Sequence, residues 1–212
     1  VSYKKALKIN SNYAEAHNNI GLILNNMGYF QKAIVSYKKA LKINQESAVV
    51  YNNMSTAFTN MSDLPAAIDS CQQALRINPE YAGAYYNMGI ALEGKGDLKA
   101  SLECYKEALK ITPDFAEAYL NMGTVLGQMG HAQESIDCYK KVIMIKPDHA
   151  QAFMNIANTL QENGQYEQAK QCFDKLTDKD SVAKALECTY HLESYDEFND
   201  RVESIAKTNP SN

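Results

Sequence analysis

Tyr119, Met122, Val125 and Leu126 recur at helical spacing in the stretch AYLNMGTVLGQMG, which ends at Gly130. The pattern predicts an amphipathic helix closed by a glycine. Asn121 interrupts it. Asn costs a helix interior roughly 0.5 kcal/mol relative to Ala or Leu, because its amide competes for backbone hydrogen bonds. Asn19, Asn53, Asn87 and Asn155 stand in the same register, each member of the column 34 residues from the next. A small cost repeated at one position needs a reason.

The same period organises the other positions. Units start at Ala14, Ala48, Ala82, Ala116 and Ala150. Large residues fill the fourth position (His17, Tyr51, Tyr85, Tyr119, Phe153) and the seventh (Ile20, Met54, Met88, Met122, Ile156). Small residues hold the eighth (Gly21, Ser55, Gly89, Gly123, Ala157) and the twentieth (Ala33, Ala67, Ser101, Ser135, Ala169). Gly28, Ser62, Gly96, Gly130 and Gly164 mark a turn, and Tyr37, Cys71, Tyr105, Tyr139 and Phe173 follow in the next apolar run. Small residues let two helices approach, large ones fill the layer between them, and the turn glycine ends the first helix. Pro79, Pro113 and Pro147 stop the second. Each unit is therefore expected to be a helical hairpin that completes its core by stacking on its neighbours.

These columns resemble the tetratricopeptide repeat family, down to AEAYLNMGTVLGQMGHAQESIDCYKKVIMIKPD. The resemblance implies an all-α fold, a right-handed α-solenoid superhelix of antiparallel helix pairs. Residues 14–176 form five units, and residues 1–13 repeat the second helix of a unit whose first helix is missing. The expectation is a piece of a longer array. Residues 177–212 read as a divergent sixth hairpin, a cap or a junction. There Leu186 replaces the small residue, Lys184 stands where Asn is expected, and Tyr195, Phe198, Val202, Ile205 and Pro210 fit a second helix and its stop.

In this family the first helices line a concave groove. Here the lining would be Asn19, Asn53, Asn87, Asn121 and Asn155, with Asn18, Asn52, Tyr86 and Asn158 beside them. Leu22, Ile90 and Met154 would be apolar neighbours. The charges among the lining positions are Glu15, Glu93, Glu117 and Glu162, with no Lys or Arg. A carboxamide offers donors and an acceptor that match a peptide group, so a ladder of them can hold an extended backbone. Such a column is similar to the superhelical arm of the O-linked N-acetylglucosamine transferases and their plant relatives, whose ladder contacts the backbone of protein substrates. Bonds to neighbouring helices are the other reading of the column. The carboxylate-clamp members of the family grip acidic chaperone tails with groove Lys and Arg, and these are missing here.

Composition narrows the partners. A net charge of −4 and a pI near 5.6 speak against nucleic acid. No run of about 18 apolar residues suggests a membrane span. Five cysteines without CxxC pairs, the first four at near-34 spacing, read as reduced core thiols, which favours the cytoplasm or the nucleus. The NMS sequons at Asn53 and Asn60 are discounted for that reason. Lysines of the second helices, such as Lys106 and Lys140, read as a solvated convex face. No catalytic constellation, cofactor motif or metal set is visible. The expected function is a non-catalytic protein interaction scaffold that binds an extended peptide. The alternatives are the substrate-recruiting arm of a larger glycosyltransferase, sulfotransferase or oxygenase, and self-association through the array ends.

Overall fold

A computed structural model describes residues 13–176, 181, 184, 185, 187–194 and 196. The expected helix over residues 1–12, and the sixth-hairpin positions Leu186, Tyr195, Phe198, Val202, Ile205 and Pro210, lie outside the described residues. The chain divides into two compact units, Val1–Val125 and Leu126–Asn212. The first contains α1 (Ala14–Asn26), α2 (Phe30–Ile43), α3 (Ala48–Asn60), α4 (Leu64–Ile77), α5 (Ala82–Gly94), α6 (Leu98–Ile111) and most of α7 (Ala116–Gln128). Within it α1 pairs with α2, α3 with α4 and α5 with α6, while α3 also packs beside α5. The second contains α8 (Ala132–Ile145), α9 (Ala150–Glu162) and α10 (Tyr166–Phe173), with α9 packed on both others, and further helical residues at 187–194. The architecture is an all-α solenoid of consecutive helix pairs.

The turn inside each pair has one geometry. The residue after the first helix takes positive φ at Gly28 (79°), Ser62 (61°), Gly96 (84°), Gly130 (81°) and Gly164 (73°). The next backbone N–H then reaches back to the first helix, from Tyr29 to Leu24 O at 2.8 Å and from Asp97 to Leu92 O at 2.9 Å. This is the Schellman arrangement, which satisfies carbonyls that a helix end leaves open. Asp63 and Asp97 then cap the second helices by accepting from the N–H of Ala66 and Ala100, at 3.3 and 3.2 Å.

Hairpin packing explains the small columns. Gly21 lies against the ring of Tyr37, and a Cβ on Gly89 would stand 2.5 Å from Tyr105 Cε1. Both tyrosines are fully buried. Where the small residue is Ser55, the ring is replaced by the smaller Cys71, so the two columns compensate each other in volume. Ser101 adds a polar tie across the same contact, donating from Oγ to Gly89 O at 2.8 Å. Around the first contact Ala33, Ile34, Tyr37, Ala40, Val50, Met54 and Ala57 form one buried cluster.

Burial also sets the chemistry of the thiols. Cys71, Cys104 and Cys138 are free and buried, and desolvation pushes each up to about 11 from an ordinary value of 9.0.

Three outcomes follow from these contacts. Ser62→Gly relieves a side chain held at positive φ, and urea unfolding should show a gain of about 0.5–1 kcal/mol. Gly89→Ala forces the Tyr105 ring to move and should cost about 1–3 kcal/mol, whereas Gly89→Ser with Tyr105→Cys, copying the Ser55–Cys71 pair, should recover part of the loss. The three buried thiols should resist iodoacetamide in the native state at neutral pH while reacting freely in urea. Because their folded values are raised, their effect on stability is complete below about pH 9 and is lost as pH rises through about 11. Urea midpoints across that window would show the decline.

Candidate functional site

The Asn column lies where one unit meets the next. Asn53 on α3 donates from Nδ2 to Asn18 Oδ1 on α1 at 2.9 Å. Asn87 on α5 donates to Asn52 Oδ1 at 2.9 Å and to Thr56 Oγ1 at 3.3 Å, both on α3. Asn121 on α7 donates to the Tyr86 hydroxyl on α5 at 3.2 Å. Except for the bond to Thr56, which spans 31 residues, each spans 35, from the sixth position of one unit to the fifth of the unit before. Such bonds contribute about 0.5–1.5 kcal/mol net, enough to offset the helix cost of Asn. Repetition in register thus has a structural cause whether or not a ligand is bound.

The bonds use only part of each amide. Among the described residues no protein group donates to Oδ1 of Asn53, Asn87 or Asn121, and all three residues are half-buried. Each side chain is thereby held in one orientation with an acceptor unused. Asn19 is also half-buried, on α1. Tyr86 is braced by aromatic packing, with ring centroids 4.8 Å from Phe115 and 6.0 Å from Tyr105. Burial pushes the Tyr86 hydroxyl above its ordinary value; the hydrogen bond from Asn121 opposes this, while Glu117 and Glu93 add to it. Tyr105 donates its hydroxyl to Glu93 Oε2 at 2.9 Å and is raised further, chiefly by burial.

The second unit departs from the pattern. Asn155 accepts from Gln151 Nε2 at 2.7 Å, one turn earlier on α9. Asn158, also on α9, accepts from Lys184 Nζ at 2.7 Å, and the same ammonium lies 5.7 Å from the Phe173 ring centroid. Lys184 therefore performs the task of the Asn it replaces, donating to the ninth position as Asn87 does to Thr56. Sequence reading identified the column but not its partners. The signal was present, since Asn18 and Asn52 each directly precede a column residue.

Charged pairs lie along the second helices. On α6 Lys106 pairs with Glu103 at 2.8 Å and Lys110 with Glu107 at 2.5 Å, all exposed. Exposed pairs of this kind contribute little to stability. Among the described residues no group of three or more His, Cys, Asp or Glu could hold a metal ion, and no helix is long and apolar enough to cross a membrane.

Comparison with known proteins agrees with the geometry. Among curated proteins none matches the sequence. Solved structures similar to this chain include MamA, at 25% identity and TM-score 0.67, covering 81% of this chain and 97% of that one. Another is YrrB, a TPR protein with an unusual peptide-binding site, at 22% identity and TM-score 0.65, covering 92% and 98%. A third is pilF of Pseudomonas aeruginosa, at 19% identity and TM-score 0.76, covering 94% and 93%. Models described as TPR repeat match residues 56–96 and 94–130, and models described as tetratricopeptide repeat match 14–47 and 126–186. With helix pairs, turns and signature columns coinciding over those residues, the chain belongs to the tetratricopeptide repeat family.

Proposed function

We propose that this tetratricopeptide scaffold holds an extended peptide against the Asn-bearing face of its first unit, with no catalytic role of its own. The observation that carries the reading is the set of anchored amides. Asn53, Asn87 and Asn121 each spend an N–H on the preceding unit and keep Oδ1 unused. An acceptor already fixed in space loses little side-chain freedom when a peptide N–H reaches it. Several such acceptors along α3, α5 and α7 suit a repeating backbone better than any one side chain. The absence of Lys and Arg from the lining positions of this unit favours neutral or basic segments over acidic ones. The peptide-binding site of YrrB is in keeping with this reading.

A random-sequence peptide library selected on the full chain supplies the probes. Each of Asn53→Ala, Asn87→Ala and Asn121→Ala should weaken the selected peptides about 2–10-fold, the effect of one neutral hydrogen bond of about 0.5–1.5 kcal/mol. Methylating the peptide nitrogen opposite a given Asn should weaken binding by a similar factor and add nothing in the matching Ala variant. Unchanged affinities in variants that circular dichroism shows to be folded would sink the proposal.

A further inference from the structure

The last position of each repeat reads Tyr13, Ser47, Tyr81, Phe115 and His149, so a serine interrupts a column of rings. Within the first unit the rings have a common task. Phe115 packs on Tyr86, the fifth residue of its own repeat, with centroids 4.8 Å apart. Tyr81 lies beside Asn52, again the fifth residue. A Cβ built on Gly83 would meet Tyr81 Cε2 at 3.2 Å and Asn52 Nδ2 at 3.8 Å, so ring and amide converge on one spot. Burial pushes the Tyr81 hydroxyl above its ordinary value, and the nearby Asn52 side chain opposes that shift.

Ser47 has no ring to offer. Its Oγ caps α3 by accepting from Val50 N at 3.5 Å, which accounts for a serine there but leaves the space over the fifth residue open. That space is a cavity of about 390 Å³, lined among others by Tyr13, Glu15, Asn18, Ser47, Val49 and Val50. Its size is within the range of small-ligand clefts, roughly 300–1,000 Å³. Asn18 is 9% exposed and its Oδ1 is taken by Asn53. Asn18 lines the cavity, in the place where Asn52 lies beside Tyr81 in the neighbouring junction. Val49, at the position of Gly83, is half exposed on the cavity wall. A carboxamide on the cavity lining and an apolar wall without a cover stand where the neighbouring junction has a tyrosine.

We infer that the cavity between α1, α2 and α3 takes a tyrosine side chain of the bound peptide, whose ring packs on Val49 and Val50 and whose hydroxyl accepts from Asn18 Nδ2. The inference rests on the peptide-binding reading of the same face and adds a side-chain preference to it. A tyrosine suits the site because its ring supplies apolar area while its polar tip needs a partner once buried. The ligand thereby completes the aromatic column that Ser47 breaks.

The test is a titration of the full chain with N-acetyl-L-tyrosinamide and with its phenylalanine and alanine counterparts, following the Asn18 side-chain amide by NMR. The tyrosine compound should shift that resonance saturably, the phenylalanine compound should bind more weakly, and the alanine compound should be at least about tenfold weaker. Ser47→Tyr combined with Val49→Gly rebuilds the Tyr81–Gly83 arrangement and should abolish the response. No saturable shift at Asn18, equal binding of all three compounds, or an undiminished response in the folded double variant would overturn the inference. Should the double variant unfold, the three-compound series on the wild type decides. If library peptides depend on Asn87 and Asn121 yet Asn18 ignores the tyrosine compound, the pocket falls and the backbone face stands. If Asn18 responds but those Asn→Ala variants bind peptides unchanged, the pocket stands and the backbone face falls.

Discussion

The approach of Tyr105 to the bare backbone of Gly89 sets the spacing of a hairpin, and much of the unit follows from it. With a Cβ at that point 2.5 Å from the ring, the two helices could not stay at their observed separation. Close packing turns one face of the first helix inward, so polar positions on its other faces meet the neighbouring unit or solvent. The same contact repeats at Gly21 and Tyr37. It is relaxed in a matched way at Ser55 and Cys71, where a larger small residue meets a smaller large one.

Once the helices are so spaced, the Asn column acquires its structural work. An Asn side chain is short, and it reaches the preceding unit at 2.9 Å because α3 packs beside both α1 and α5. One amide hydrogen is enough for that tie. What remains is an oriented acceptor, the atom that the proposed peptide contact would use. The structural tie and the proposed recognition therefore do not compete as explanations of the column, since they would use different atoms of the same amide.

Exceptions to the repeat show where individuality enters. Ser47 exchanges a ring for a cap and opens a cavity. Lys184 exchanges a carboxamide for an ammonium yet still donates to the preceding helix. Asn155 keeps its identity but turns to Gln151 on its own helix. Identical letters can thus do different work, and different letters the same work, because the partner is set by what the adjacent unit presents.

Much of the fold was legible in the chain itself. Helix length, the turn glycines and the alternation of small and large columns are local or period-bound properties, and 34-residue recurrence makes each unit confirm the others. Ser62, the one non-glycine among the positive-φ turn residues, was placed correctly because its neighbours in the column were glycines. The partners of the Asn residues were decided only in three dimensions. A residue's column shows which face it occupies, whereas a hydrogen bond depends on a few tenths of an ångström and on side-chain rotamers. The cavity at Ser47 is of the same kind. In the sequence it is a single serine among aromatic residues, and it stands out as a cavity only when the neighbouring junction shows what volume the missing ring would have filled.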